Sequence, residues 1–295
     1  MLDRESTFKN PEVVKLLKEN FIPIAIDQAY QRRQKDNEGS FYQKIANQGP
    51  RKVGKGTTQG LYIADVSGKL LGFSNNRGAE RVINMMRKAM KEPRTTDFGK
   101  ITKGKSDLRY NPSPPKGGLV IRVTTKVLGG YEKTENTYRK IMHNSLGRDN
   151  FWVTGSEKKE LINGKLPDTF LRRLVRFHLV DNTRGEPTMW GPSDIRTIKG
   201  NLENGQLSAK VVLRNGQGDR GYEAQILGII KTESGKITGF DAVAKGQYWG
   251  EGKYTRNAPD GRFPLAVAFK LADGKDIADS IPPQGSRGWV RGYIN

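Results

Sequence analysis

Short apolar runs separated by tight turns fill residues 195–271, and this pattern restricts the fold more than any other feature of the sequence. Asn204-Gly205 lies between two such runs, and an Asn-Gly pair favours the two-residue turn of a β-hairpin. Ser234-Gly235 marks a second hairpin in the same way. The predicted strands are residues 195–202, 207–213, 222–231, 237–244 and 264–271. Strands and turns at such regular spacing predict a small barrel or sandwich.

Helices accompany these strands in the second half of the chain. Apolar spacing predicts a helix over residues 168–178. Its predicted buried stripe consists of Phe170, Leu171, Leu174 and Val175, and its predicted outer face carries Arg172, Arg173 and Arg176. His178 falls on the apolar side, where a lone histidine is more often hydrogen-bonded in a core than a ligand, and His143 has no partner at metal-site spacing. We also predict a strand at residues 119–128 and a short helix at residues 157–163 with Ser156 as its cap.

A linker separates two predicted domains. Residues 93–117 carry Pro93, Asn111-Pro112 and Pro114-Pro115, which are typical of an extended connection. The sequence therefore predicts a domain of residues 1–92, a linker of residues 93–117 and a β-rich domain of residues 118–295. A chain of 295 residues is long enough for two ordinary domains.

The first domain shows an α/β pattern. Asn10-Pro11 predicts the start of a helix whose apolar stripe is Val13, Leu16 and Leu17. The apolar run of residues 21–26 predicts a strand covered on both faces, with Pro23 indicating an edge or a bulge. Residues 41–47 predict one or two helical turns. A hairpin of residues 60–66 and 69–73 follows, and then a helix of residues 78–91 capped by Asn75 or Asn76.

The opening of the chain resembles thioredoxin-like domains in which a Cys-x-x-Cys is followed by Met, an acid, Arg, Glu, Ser and Phe. The matching residues here are Met1, Asp3, Arg4, Glu5, Ser6 and Phe8. The resemblance implies a thioredoxin-like fold for the first domain, and the hairpin matches the last two strands of that sheet. The chain contains no cysteine, and Thr57-Thr58-Gln59 stands where the family has a proline. Without a thiolate and a resolving thiol, thioredoxin chemistry cannot proceed on this chain.

The family's central strand precedes the position matched by Met1, which leaves the stripe of Val13, Leu16 and Leu17 without its usual layer. Two expectations follow from the resemblance. Either a segment upstream of Met1 supplies the strand and the Cys-x-x-Cys, or another element covers the stripe. If no upstream segment exists, we expect the first domain to be incomplete and loosely held in isolation.

Residues 49–57 come close to the phosphate-binding pattern G-x-x-x-x-G-K-[ST]. That loop requires a preceding strand, a following helix and a hydroxyl directly after the lysine. Here Gly56 follows Lys55, and the next residues predict a strand. A flexible basic loop is therefore the favoured interpretation.

Charge is strongly positive but dispersed along the chain. Fifty-one Lys and Arg residues against 31 Asp and Glu give a net charge of +20, which raises nucleic acid, anionic lipid or acidic polysaccharide as partners. Basic residues outnumber acidic residues in each of the three segments, 1–92, 93–117 and 118–295, and no run of five like charges occurs. This distribution predicts a solvated basic surface with weak, salt-sensitive polyanion binding.

One aromatic segment is a candidate binding site. Its residues are Tyr248, Trp249, Lys253, Tyr254 and Arg256. Aromatic rings interleaved with cations are typical of surfaces that stack on bases or sugars. The competing interpretation is a strand with Trp249 in the core, followed by a loop. We find no paired carboxylates, no Ser-His-acid set and no zinc pattern in the sequence, so we predict no catalytic residues, no metal and no cofactor.

Three functions remain open from the sequence. The leading one is a non-catalytic, thioredoxin-like binding or scaffold protein with a protein or an anionic molecule as its ligand. The second is a fragment of a thiol-disulfide oxidoreductase whose Cys-x-x-Cys lies upstream of Met1. The third is a polyanion-binding protein. Low mean hydropathy and the absence of an apolar segment after Met1 predict a soluble protein without a signal peptide, in an unassigned compartment.

Overall fold

The computed structural model describes residues 3–97, 104–287 and 289–294. Met1 of the thioredoxin-like pattern and residues 98–103 of the predicted linker lie outside the described residues. The chain divides into two compact units, the first built from residues 3–112 and the second from residue 113 onward. Its fold is mixed α/β, with a two-stranded sheet in the first unit and a seven-stranded antiparallel sheet in the second.

The first unit places helices around a β-hairpin. A short π-helical turn, Arg4–Phe8, comes before the first helix. The elements are α1 (Pro11–Asn20), α2 (Gln28–Gln31), α3 (Asn37–Gln48), β1 (Leu61–Ala64), β2 (Leu70–Ser74) and α4 (Ala79–Lys91). Strands β1 and β2 pair antiparallel. Helix α4 begins after Gly78, so neither Asn75 nor Asn76 is its cap.

Helix α1 begins where its sequence predicts, because the Asn10 side chain accepts hydrogen bonds from the backbone N–H groups of Glu12 and Val13. Val13 is fully buried beside Val82 and Met86 of α4. Leu61 and Ile63 of β1 pack against the same cluster. The apolar stripe of α1 therefore does have a layer to cover it, and α4 together with β1 supplies that layer.

The predicted strand at residues 21–26 is wrong. These residues form neither helix nor strand, and residues 22–26 are all exposed. A strand exists only where a neighbour satisfies its backbone, and no other strand pairs with this stretch among the described residues.

The turn between β1 and β2 depends on one carboxylate. Asp65 accepts hydrogen bonds from the backbone N–H groups of Ser67 (3.0 Å), Lys69 (3.0 Å) and Thr95 (3.1 Å), and from the Ser67 hydroxyl (2.6 Å). The hydroxyl of Ser67, followed by the Thr95 amide, lowers the pKa of Asp65 from 3.8 to about 2. These bonds favour the ionised form and tie the hairpin to the segment after α4.

We expect the hairpin to loosen in acid. Because the folded-state pKa lies below the unfolded value, the contribution of Asp65 to stability is complete above pH 4 and is lost as the pH falls toward 2. Hydrogen-exchange protection of the Ser67 and Lys69 amides should fall across this interval. In the Asp65→Asn variant, protection should be lower at neutral pH and should not change between pH 4 and pH 2. Equal acid dependence in the variant would contradict this role.

The second unit is built on long strands. Its strands are β3 (Leu119–Val127), β4 (Gly147–Val153), β5 (Ile195–Glu203), β6 (Gln206–Arg214), β7 (Gly221–Glu233), β8 (Lys236–Trp249) and β9 (Arg262–Leu271). Its helices are α5 (Thr137–Asn144), α6 (Gly155–Ile162), α7 (Asp168–His178) and α8 (Val290–Ile294), with short 3₁₀ turns at Pro192–Asp194, Ile277–Ser280 and Gln284–Ser286.

The strand order is β4-β3-β9-β8-β7-β6-β5, with every neighbouring pair antiparallel. The predicted strands of residues 195–271 all occur. Among the described residues they form one open sheet that ends at β4 and β5, so the predicted barrel is wrong. The predicted sandwich is also wrong, because all seven strands belong to this single sheet, whose inner face packs on helix α7.

Helix α7 fills the inner face of the sheet. Phe170 and Leu174 are fully buried, and the ring of Phe170 lies 4.9 Å from that of Phe151 on β4 and 6.1 Å from that of Phe240 on β8. His178 is buried, and its Nε2 lies 2.7 Å from the Tyr293 hydroxyl. The structure therefore confirms that His178 is a hydrogen-bonded core residue.

The predicted outward position of Arg173 is wrong, because its side chain is only 5% exposed. It forms an ion pair with Glu157 (2.6 Å) and donates to the carbonyls of Trp152 and Ile294. Glu157 also completes a capping box with Thr154, which replaces Ser156 as the cap of α6. The acid and the two carbonyls allow a charged group to be buried here.

Among the helices of the described residues, none has both the length and the apolar composition that a bilayer crossing requires.

Candidate anion-binding face of the seven-stranded sheet

Strands β5 to β9 present one open face. Their residues alternate between buried and exposed, as expected when one side of a sheet packs on a core and the other meets solvent. On β6, for example, Leu207 and Val211 are buried, whereas Ser208 and Lys210 between them are exposed. We refer to the exposed side of β5 to β9 as the outer face.

Strand pairing brings three lysines of the outer face into one row. Lys199 on β5 lies opposite Lys210 on β6, Lys210 lies opposite Gln225 on β7, and Gln225 lies opposite Lys245 on β8. All three lysines are exposed, and none forms a salt bridge within the described residues. We call them the lysine row. Like charges that face each other on adjacent strands repel, so an anion bound here would relieve a repulsion that folding creates.

A second line of cations crosses the outer face near the start of β7. Arg214 lies opposite Gly221, Gly221 opposite Trp249, and Trp249 opposite Arg262. The Arg262 guanidinium lies 4.1 Å from the centre of the Trp249 ring and also pairs with Glu223 at 3.0 Å. The hydrogen bond from Arg262 lowers the pKa of the Glu223 carboxyl.

Gly221 is required where the ring of Trp249 crosses β7. A Cβ atom at residue 221 would lie 2.1 Å from the Trp249 ring, so the glycine allows the ring to lie flat on the strand. The Trp249 indole N–H donates to the Gly218 carbonyl at 3.1 Å. Trp249 is therefore a fixed, half-buried ring that carries the Arg262 cation, and it is neither a core residue nor a free stacking surface.

The other four predicted site residues are divided between the core and a loop. Tyr248 is 2% exposed and packs against Trp190, Tyr222 and Phe263, so its ring is closed to a ligand. Lys253, Tyr254 and Arg256 lie in the loop between β8 and β9 and are exposed. The Lys253 ammonium lies 5.3 Å from the centre of the Tyr254 ring, which is 60% exposed. The structure thus keeps three of the five residues in one exposed loop, which begins directly after Trp249 at the end of β8.

The loop between β8 and β9 is anchored to the core by the buried side chain of Arg184. Arg184 donates to the carbonyls of Thr255 and Arg256 and to the hydroxyl of Tyr131. Its Nη2 lies 2.5 Å from an Asp181 oxygen, and both side chains are at most 2% exposed. Tyr131 in turn stacks on His143 at 4.0 Å. Burial, followed by the charges of Arg139, Arg184 and Lys126, lowers the pKa of His143, which favours a neutral ring.

An apolar strip lies beside the lysine row. Leu227 on β7 is opposite Val243 on β8, and these side chains are 54% and 45% exposed. Ile229, two residues further along β7, is 54% exposed. The outer face therefore offers cations at one end and aliphatic groups toward its middle.

Reasoning from the sequence missed Lys199, Lys210, Lys245, Arg214 and Arg262. The sequence does contain a signal for the pairing of Lys199 with Lys210. The two-residue turn at Asn204-Gly205 fixes the register of its hairpin and places these two lysines opposite each other.

No group of three or more His, Asp and Glu residues within the described part of the chain is arranged to hold a metal ion. Residues 49–57 run from the end of α3 into β1, so no helix follows the loop, as a phosphate-binding loop of the predicted pattern requires. Comparison with models of protein families, with curated proteins and with solved structures found no match.

Proposed function

We propose that this chain is a non-catalytic binding protein that takes an anionic polymer on the outer face of its seven-stranded sheet. The observation that carries the proposal is the lysine row: three exposed lysines in register on β5, β6 and β8, none of which forms a salt bridge among the described residues. Lysine is a mobile point charge and suits the phosphates of a flexible strand better than one fixed anion.

Single-stranded nucleic acid is the polymer class that the face favours. Lys245 stands four residues before Trp249 on β8, about 13 Å along the strand, so the lysine row runs parallel to the line that contains Arg214 and Arg262. The exposed ring of Tyr254 lies in the loop at the same end and offers a surface for a base. A sulfated polysaccharide would use the cations but would gain less from Tyr254, because a sulfated sugar ring lacks the flat π-face of a base.

The test removes the lysine row. We expect the Lys199→Gln/Lys210→Gln/Lys245→Gln variant to bind single-stranded DNA more weakly, with a log-log salt slope smaller in magnitude by about 2, since each phosphate contact contributes about 0.7. Fluorescence anisotropy between 50 and 200 mM salt, a range in which such contacts are resolved, gives the slope. The matched control is Lys133→Gln/Lys159→Gln/Lys165→Gln, which removes three exposed lysines elsewhere in the same unit.

Removing the row should leave the fold intact, because it also removes a repulsion between opposing charges. An equal loss of binding in both triple variants would show diffuse attraction to the +20 chain and would contradict a site on the outer face. A heparin arm separates the polymers: Tyr254→Ala should weaken DNA binding more than heparin binding, and an equal or larger loss of heparin binding would favour a polysaccharide.

For the first unit, we propose a thioredoxin-like relationship without thiol chemistry. The succession of α1, β1, β2 and α4, together with the opening residues, supports the proposal. Because the chain has no cysteine, this unit would contribute binding and not disulfide exchange.

A further inference from the structure

Residues 22–26 in the first unit are an apolar stretch that no other described residue covers. Ile22, Ile24 and Ile26 are 86%, 73% and 40% exposed. Such a concentration of exposed aliphatic side chains in one segment is typical of a surface that meets a partner. Their alternation predicts that they share one face when the segment is extended. We call residues 22–26 the isoleucine stretch.

The backbone of the isoleucine stretch is unpaired as well. Within the described residues, none of its N–H or C=O groups joins a backbone hydrogen bond. The residues on either side, Phe21 and Asp27, both have extended backbone dihedral angles. The stretch therefore enters and leaves in the conformation of a β-strand.

Pro23 determines which edge of this stretch can pair. In a strand, the backbone groups of alternate residues point to opposite edges. The edge formed by Ile22, Ile24 and Ile26 has a full set of donors and acceptors, whereas the opposite edge lacks the N–H of Pro23. A partner strand would therefore pair with the edge formed by the isoleucines.

The two-stranded sheet of β1 and β2 also has an unpaired edge among the described residues. Strand β1 pairs with β2 on one side only, and its other edge has no backbone partner among the described residues. Helices cover both faces of this narrow sheet: Leu61 and Ile63 pack on the cluster around Val13, and the Tyr62 ring lies 6.3 Å from that of Tyr42 on α3. Phe21, which precedes the isoleucine stretch, packs on the same cluster as Leu61.

Positive charge gathers where the isoleucine stretch ends. Pro50, Arg51, Lys52, Lys55 and Thr57 line a recess of about 420 Å³ that no acidic side chain lines. Gln28, two residues after Ile26, accepts hydrogen bonds from the backbone N–H (3.3 Å) and hydroxyl (3.2 Å) of Thr58. The recess therefore lies beside the carboxyl end of the stretch.

We propose that the isoleucine stretch is a docking site for an extended peptide segment of a partner protein, which adds as a β-strand. The peptide alternates apolar residues to match the isoleucines and carries acidic residues at the end that reaches the basic recess. Pairing of backbone groups supplies affinity in this mode, and alternate side chains supply specificity. A second copy of the chain is disfavoured, because three side chains and five residues of backbone fall far short of the roughly 800 Å² per partner that a stable interface buries.

The test uses two synthetic peptides in which valine and threonine alternate over six residues, with three glutamates at the amino end of one and at the carboxyl end of the other. We expect one of the two to bind, and its polarity to give the strand direction. Ile24→Pro removes an N–H from the pairing edge and should weaken binding at least about tenfold. Ala25→Pro is the matched control, since it removes an N–H from the opposite edge and should change binding less than about twofold.

Two further measurements separate the side-chain and charge contributions. Ile24→Ala should weaken binding without a proline. Lys52→Glu/Lys55→Glu should weaken binding of the glutamate peptide and leave a peptide without glutamates unaffected. Equal effects of Ile24→Pro and Ala25→Pro, or binding of neither peptide at millimolar concentration, would overturn the proposal. So would a dimer in sedimentation that Ile24→Pro abolishes and the peptides do not dissociate.

Discussion

Replacement of Asp181 by alanine is expected to destabilise the second unit by about 3–5 kcal/mol, because it leaves the guanidinium of Arg184 buried without its counter-charge. Both side chains of the pair are at most 2% exposed. Asp181 also accepts hydrogen bonds from the backbone N–H and the hydroxyl of Thr183. The substitution therefore removes a charge partner and leaves several buried donors unsatisfied.

Urea denaturation followed by tryptophan fluorescence measures this effect in one unit. All four tryptophans lie in the second unit, so their emission does not report on the first. Asp168→Ala is the control, because the Asp168 and Arg172 side chains of its ion pair are 70% and 51% exposed, and an exposed pair contributes about 0.2–1 kcal/mol. The Asp181→Leu/Arg184→Met double variant should lose less free energy of unfolding than the Asp181→Leu and Arg184→Met single variants lose in total. Strict additivity would show that the two groups do not act as a pair.

Replacement of Phe170 by alanine should destabilise the second unit by a similar amount, about 3–5 kcal/mol. The Phe170 ring is fully buried and lies between β4 and β8, which are well separated in the strand order. Its removal leaves a cavity at the point where α7 holds distant strands together.

The comparison variant for Phe170 is Leu227→Ala on the outer face, where the side chain is 54% exposed and the expected loss is below about 0.5 kcal/mol. Both variants are followed by tryptophan fluorescence in urea. A loss below about 1 kcal/mol for Phe170→Ala would mean that the sheet and α7 repack around the vacancy, and it would contradict this role of Phe170.

The two hairpins of the outer face show how far sequence reasoning reaches. The turn at Asn204-Gly205 is regular, so counting outward from it pairs Lys199 with Lys210 correctly. The turn at Ser234-Gly235 is preceded by a register shift at Lys231/Thr232 on β7. Counting without that shift would set Gln225 opposite Ala244 and would not bring Lys245 into the row. A bulge of this kind depends on packing across the sheet, and local sequence does not reveal it.

The predictions for Arg173 and for residues 21–26 were wrong for a different reason. Helical periodicity assigns a charged residue to the outside, and only distant groups such as Glu157 and the Ile294 carbonyl make burial of Arg173 acceptable. The apolar composition of residues 21–26 indicates only a tendency to form a strand, and a strand also requires a neighbour, which this segment lacks among the described residues. In both cases the deciding partner lies far away along the sequence.

The place of β9 in the sheet has a consequence for synthesis on the ribosome. Strand β9 is the last strand to be made, yet it lies between β3 and β8 and joins two groups of strands. Until residue 271 has left the exit tunnel, β3-β4 and β5 to β8 each expose an unpaired edge, and such edges recruit other chains. The nascent second unit therefore carries two unpaired sheet edges until β9 joins them, and exposed strand edges of this kind promote aggregation during synthesis.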